Sequence, residues 1–252
     1  MLNNHTVDAL RGLRLTAMAE AYLRQMQDPT LQGLSFEERF GLLVDHEVTS
    51  RYNQRLGKLI REAKFKVQAT PEEVDHRPAR GLDSALIRHL TSGQWIAAHH
   101  NLVVTGPTGG GKTYLSCALG TAACRLGFSV RYYRVSRLFQ DITLSKADGS
   151  YSRLAAKLAK TDLLILDDWG LASISTSDGR ELLDILDDRT SLKSTCIASQ
   201  LPVEMWHSQF ADPTVADAIL DRLVHSSYKV NLQGESMRKL KSPLLENEES
   251  AI

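Results

Sequence analysis

Eight consecutive residues, Gly106-Pro107-Thr108-Gly109-Gly110-Gly111-Lys112-Thr113, satisfy the spacing G-x-x-x-x-G-K-[ST] in full. Each position has a chemical reason. Glycines let successive backbone N–H groups curl around a phosphate, and a helix starting where the loop ends turns its positive N-terminus to the same anion. A lysine at position 112 reaches the β- and γ-phosphates of a nucleotide, and a hydroxyl at position 113 ligates Mg²⁺. Such a loop keeps this meaning only between a strand and a helix. Leu102-Val103-Val104 supplies the strand, and the stretch from Thr113 to Leu126 is helix-compatible.

A second constellation, Leu163-Leu164-Ile165-Leu166-Asp167-Asp168, lies downstream. Four aliphatics make a buried strand, and the first acid at its carboxyl end, Asp167, can hold Mg²⁺ directly or through water. Asp168 is placed to orient or deprotonate an attacking water. Ser199 and Gln200 end a further apolar run. A polar side chain held between the two motif strands can sense a γ-phosphate, Gln200 first and Ser199 next; the plain alternative is a strand-exit residue capping the helix at Val203. Arg222 follows Asp221. It reads either as a surface arginine paired with a nearby carboxylate or as an arginine finger reaching a neighbouring subunit's nucleotide. These residues alone leave both open.

Strands and helices alternate around these motifs. Leu102–Thr105, Ser129–Tyr133, Leu163–Leu166, Thr195–Ala198 and Tyr228–Val230 read as strands, with helical patterns such as Asp178–Asp188 between them. That alternation predicts a parallel sheet covered by helices on both faces. The first hundred residues read as helical throughout. One pattern runs from Leu10 to Met26 and stops at Asp28-Pro29, and Ser35-Phe36-Glu37-Glu38 is a capping box opening a second. Thr70-Pro71-Glu72-Glu73 and Gly81-Leu82-Asp83-Ser84 signal two further starts. The boundary between the helical and alternating parts is expected near residues 90–100.

Composition narrows the class. The chain has 252 residues, with 30 basic against 30 acidic side chains, and its ordinary apolar and charged fractions exclude collagen-like and wholly disordered chains. No aliphatic run approaches the roughly 20 residues a membrane helix needs, and the first fifteen residues lack a signal-peptide core; a cytoplasmic protein without membrane contact is expected. Cys117, Cys124 and Cys196 form neither a metal-ligand spacing nor a disulfide framework, which suits a reducing compartment. The charges are unevenly placed. Residues 101–160 carry 9 basic and 2 acidic side chains, whereas residues 161–252 carry 8 and 16. Two basic stretches, Arg51-Arg55-Lys58-Arg61-Lys64-Lys66 and Arg131-Arg134-Arg137-Lys146-Arg153-Lys157-Lys160, are either solvated faces or sites of phosphate-backbone contact.

Taken in order, these motifs resemble the IstB family, ATP-binding helper proteins of bacterial insertion-sequence transposition, which belong with DnaC helicase loaders and DnaA initiators in one branch of AAA+ ATPases. The matching residues are Gly106 to Thr113, the Leu163–Gly170 run LLILDDWG, Ser199-Gln200-Leu201-Pro202, Asp221-Arg222-Leu223 and Gly234-Glu235-Ser236-Met237-Arg238. The basic Arg51–Phe65 stretch also resembles the family's helix ahead of the ATPase domain. The resemblance implies an α/β AAA+ P-loop NTPase over residues 93–241, preceded by an all-helical domain over 1–92; with only about twenty residues after Val230 no C-terminal lid domain is expected, and residues 242–252 are expected to be a disordered tail. It implies ATP and Mg²⁺ as cofactors, with Lys112, Asp167, Asp168, Gln200 and Arg222 as catalytic residues, Arg222 acting in trans at subunit interfaces. Arg238 is a candidate sensor. It further implies a homo-oligomer assembled on DNA that recruits or activates a transposase. A DnaC-like helicase loader is the runner-up, and a small-molecule P-loop kinase is a third class.

Overall fold

The computed structural model describes residues 2–75, 80–234, 236 and 237. The chain packs as two units, residues 1–58 and 59–252. In the first unit lie α1 (Leu2–Gly12), α2 (Thr16–Gln27) and most of α3 (Phe36–Ala63). The helical pattern read as one run from Leu10 to Met26 is interrupted, because Arg14 adopts a positive φ of 60° and helix restarts at Thr16. The capping box is formed: Ser35 N donates to Glu38 Oε2 at 2.8 Å and Glu38 N donates to Ser35 Oγ at 3.2 Å. Buried Glu47 accepts from Met18 N and from Arg51 Nε, so its carboxylate has charge-assisted partners. Those hydrogen bonds, Arg51's first, hold its pKa below the usual carboxylate range.

The second unit is built on five parallel strands: β1 (Asn101–Thr105), β2 (Val130–Arg134), β3 (Leu163–Trp169), β4 (Ser194–Ser199) and β5 (Ser227–Asn231). All five match the runs read from sequence. Their order is β2-β3-β4-β1-β5. Helices α4 (Ser84–Thr91), α5 (Gln94–Ala97), α6 (Lys112–Arg125), α7 (Val135–Ala147), α8 (Tyr151–Lys160), α9 (Thr176–Asp187) and α10 (Pro213–Val224) complete it. β1, β3 and β4 are almost wholly buried, which is why β1 and β3 carry continuous aliphatic runs and β4 small or apolar residues throughout, without alternation. Trp169 closes β3 and packs against Trp206 and Phe210, with ring centroids 5.4 and 6.0 Å away.

The second unit begins at Leu59, within the stretch read as the helical N-terminal part. Phe65 lies so close to Gly120 of α6 that a Cβ there would meet its ring at 2.5 Å, so only glycine admits the contact. Thr70-Pro71 opens a single 3-10 turn, Pro71–Glu73, where a helix was expected. Its two acids hold α6: Arg125 donates to Glu72 at 2.5 Å, and the Tyr114 hydroxyl donates to Glu73 at 2.6 Å.

At the amino ends of the strands, buried Arg189 donates to the carbonyls of Leu158, Thr161 and Ser194 and to the Thr195 hydroxyl. Its five donors suit this carbonyl-lined position, and burial draws its pKa down to about 10. All three cysteines are buried, with thiol pKa values pushed up by desolvation to about 11 for Cys117 and about 12 for Cys124 and Cys196, which keeps them protonated. Among the described residues no helix is long and apolar enough to cross a membrane. The tail expected to be disordered, residues 242–252, lies outside the described residues, as do Glu235 and Arg238.

Candidate functional site

The phosphate-binding loop joins the carboxyl end of β1 to the first turn of α6. Gly106, Gly109 and Gly111 take positive φ values of 144°, 77° and 90°. Side chains are strongly disfavoured there, and these turns make the curl the motif promises. Lys112 begins α6, is 8% exposed, and donates to the carbonyls of Gly106 and Pro107, both at 2.8 Å. The ammonium is thereby folded over the loop it serves.

The β1–β4 register sets Thr105 beside Ser199, so the residue after β4 emerges next to the loop. Gln200 is that residue, and its Oε1 accepts from the Thr108 hydroxyl at 2.7 Å. Ser199 faces inward, donating to the Trp169 carbonyl and accepting from Leu201 N. Of the two candidates, only Gln200 reaches the loop.

On the other side of β4, β3 delivers both acids. Asp167 is 1% exposed, and its Oδ2 accepts from the Thr113 hydroxyl at 2.7 Å and from the Tyr132 hydroxyl at 2.6 Å. Burial, followed by the bond to Asp167, pushes the Tyr132 hydroxyl pKa far up, so it remains a donor. Asp168 is different. The β3–β4 pairing shifts register between Leu166 and Trp169, and Asp168 takes a φ of 61°. A bulge of this kind re-aims one side chain off the sheet, and aspartate is among the few residues that tolerate the left-handed region. Its carboxylate lies 4.0 Å from Lys66 Nζ and 4.0 Å from Arg134 Nε. Sequence reasoning named neither Tyr132 nor these two cations as part of the site. Arg134 ends β2, in register with Asp167, and no motif spacing marks it.

Lys112, Thr113, Asp168 and Gln200 line one cleft of about 660 Å³. Glu73, Asp75 and Arg80 add charge to its wall, and Val74, Leu82, Leu232 and Met237 add apolar surface. A ligand that combines a polyanion with an apolar ring system is what such a mixed lining can hold. A hydroxyl and a buried carboxylate facing each other form an oxygen donor set of the kind Mg²⁺ takes. The residues present fit that ion.

Arg222 is elsewhere. It sits in the last turn of α10, donates to the Ala218 carbonyl at 2.7 Å, and pairs with Asp187 at the end of α9. Its own carbonyl accepts from Asn101 Nδ2, at the start of β1. The phosphate loop leaves the opposite end of that strand, roughly 16 Å away for five residues. The two basic stretches also divide. Arg131 is buried, Arg137 pairs with Asp141, and Lys146 pairs with Glu181 and lies over the Tyr151 ring. Arg153, Lys157 and Lys160 are exposed on α8 at helical spacing, and Arg55, Lys58 and Arg61 are exposed on α3.

The description "IstB-like ATP binding protein" belongs to the family whose pattern matches residues 8–244. An insertion-sequence ATP-binding protein of Sinorhizobium fredii is 48% identical over 239 residues, covering 95% of this chain and 98% of that protein. Among solved structures, AMPPCP-bound DnaA from Aquifex aeolicus shares the fold with a TM-score of 0.57 at 19% identity, over 69% of this chain and 53% of that one. The replication initiator DnaA bound to AMPPCP and single-stranded DNA gives 0.55 at 18%, over 69% and 53%. The fold is therefore that of AAA+ P-loop NTPases, and the chain belongs to the family of IstB-like ATP-binding proteins.

Proposed function

We propose that the protein is an ATP-hydrolysing AAA+ regulator of DNA transposition, which assembles on DNA as an oligomer and recruits or activates a transposase. One observation carries the catalytic part: Lys112, Thr113, Asp168 and Gln200 converge on one cleft with Asp167 behind Thr113, while Arg222 stands at the far end of the sheet. An arginine so placed is out of reach of its own chain's cleft and is available to a neighbour's. Insertion-sequence relatives supply the transposition context, and a DnaA of the same fold was solved on single-stranded DNA. The exposed cations of α8 and α3 are the surfaces we assign to DNA backbone.

In this scheme the loop N–H groups and Lys112 bind the phosphates, and Thr113 and Asp167 hold Mg²⁺. The metal, when bound, neutralises charge developing on the phosphate oxygens. Asp168 orients a water and accepts its proton as the water oxygen bonds to the γ-phosphorus and the bond to the β–γ bridging oxygen breaks, releasing ADP. Gln200, already bonded to Thr108 of the loop, registers the γ-phosphate. A neighbour's Arg222 stabilises the transition-state charge. The test is ATPase rate against protein and DNA concentration. A rate per subunit that rises with both is expected, and one independent of both rejects the assembly. Retention of a transposase rather than a replicative helicase on the immobilised protein separates this function from helicase loading.

A further inference from the structure

Three consecutive glycines, 109 to 111, give the phosphate loop more conformational freedom than any other part of the site. That freedom has to be removed before the loop can present its N–H groups to an anion. Part of the restraint is internal, since Gly110 N donates to the Pro107 carbonyl at 3.0 Å. The rest comes from outside the motif. Met237 N donates to the Gly109 carbonyl at 3.0 Å, and Arg80 Nη2 donates to the Gly110 carbonyl at 2.7 Å. Arg80 is itself fixed. It is 7% exposed, its carbonyl accepts from Gln233 N at 2.9 Å, and the next residue, Gly81, is so tightly seated that a Cβ would meet the Asn231 carbonyl at 2.7 Å.

The geometry points to Arg80 as a positioning residue for the nucleotide, holding the Gly110–Gly111 peptide so that the N–H of Gly111 faces the phosphates. The physical step is short. A trans peptide is planar, so its C=O and N–H point in opposite directions. Anchoring the Gly110 carbonyl on a charged donor therefore fixes the direction of the Gly111 N–H, which points away from that donor. A charge-assisted bond is about twice as strong as a neutral one, enough to select one peptide orientation among those a glycine pair can adopt. The guanidinium also lies in the wall of the same cleft as Lys66 and Lys112, so it adds positive charge there, against the carboxylates of Glu73, Asp75 and Asp168 in that wall. The assignment deepens the ATPase function proposed above and rests on it.

The test compares Arg80→Ala and Arg80→Lys with the wild-type chain in three measurements: affinity for a fluorescent ADP analogue, KM and kcat for ATP, and thermal unfolding without nucleotide. Arg80→Ala should raise the dissociation constant and KM by about tenfold or more, with kcat at saturating ATP nearly unchanged. Arg80→Lys, whose ammonium can still donate to one carbonyl, should bind within about threefold of wild type. The nucleotide-free unfolding midpoint should shift little in Arg80→Lys. An Arg80→Ala variant that binds as wild type overturns the assignment. So does loss of binding in both variants that tracks a matching fall in the unfolding midpoint, because that describes a purely structural arginine. A wild-type chain that binds no nucleotide overturns the ATPase function as well.

Discussion

The Thr113 hydroxyl donates a 2.7 Å hydrogen bond to Asp167 Oδ2, tying the first turn of α6 to the carboxyl end of β3. The two residues are 54 positions apart in the chain. Tyr132 donates to the same oxygen from β2, so three elements fix one carboxylate. Asp167→Asn should leave metal-free nucleotide binding nearly intact while reducing hydrolysis by a factor on the order of 10² to 10³. Tyr132→Phe removes one of the two hydroxyl donors and should reduce hydrolysis only a few-fold, at about 1 kcal/mol in stability. Urea unfolding and ATPase assays on the two variants check both; full activity in Asp167→Asn would remove that residue from the mechanism.

Lys112→Ala removes the ammonium that caps the Gly106 and Pro107 carbonyls. Affinity for ATP should fall at least tenfold, about 1.4 kcal/mol, and ATP-dependent assembly should disappear with it. Calorimetry and size-exclusion chromatography read the two effects separately. Normal assembly with ATP in the variant counts against a nucleotide-controlled oligomer.

Arg222→Ala should bind nucleotide as wild type, because the side chain pairs with Asp187 at the end of the sheet opposite the phosphate loop, and should hydrolyse it poorly. Mixing it with Asp168→Asn should restore activity, since each subunit then supplies what the other lacks. If the mixture stays inactive, the trans-acting role of Arg222 fails.

Asp162 gives a pH prediction outside the site. Burial alone would raise its pKa, but hydrogen bonds from Lys193 and from the Ser129 backbone and hydroxyl outweigh that and hold it below its ordinary value of 3.8. The folded pKa is depressed, so the stabilisation is present above the unfolded value and is lost as pH falls through the folded one. Asp162→Asn should therefore cost about 1 kcal/mol at neutral pH and less at pH values below about 3.8. Unfolding in urea at neutral and acid pH measures it; a gap that widens on acidification contradicts the sign.

The sheet was legible because its central strands are buried on both faces, so Leu163–Leu166 and Leu102–Val104 announce themselves as aliphatic runs with chemistry at their carboxyl ends. Gln200 was legible for the same reason, as the first residue past β4. Arg80 and Tyr132 were not. Arg80 reaches Gly110 across 30 positions and Tyr132 reaches Asp167 across 35, and neither has a spacing that points to its partner. The start of the second unit at Leu59 was hidden too, because Phe65 on Gly120 and Glu72 on Arg125 are tertiary contacts of a helical-looking segment. The left-handed turn at Asp168 depends on a register shift between β3 and β4, which a one-dimensional pattern does not carry.

The separation of Arg222 from its own chain's cleft has an arithmetic consequence. If each subunit carries the receptor at one end of its sheet and the donor at the other, contacts run head to tail and are heterologous. An open row of subunits then always has one fewer completed site than it has members. A lone subunit has none, a pair has one, and only long rows or closed circles approach full occupancy. Turnover per subunit would climb with row length toward a plateau, and shortening the row by one member would silence one site rather than weaken all of them.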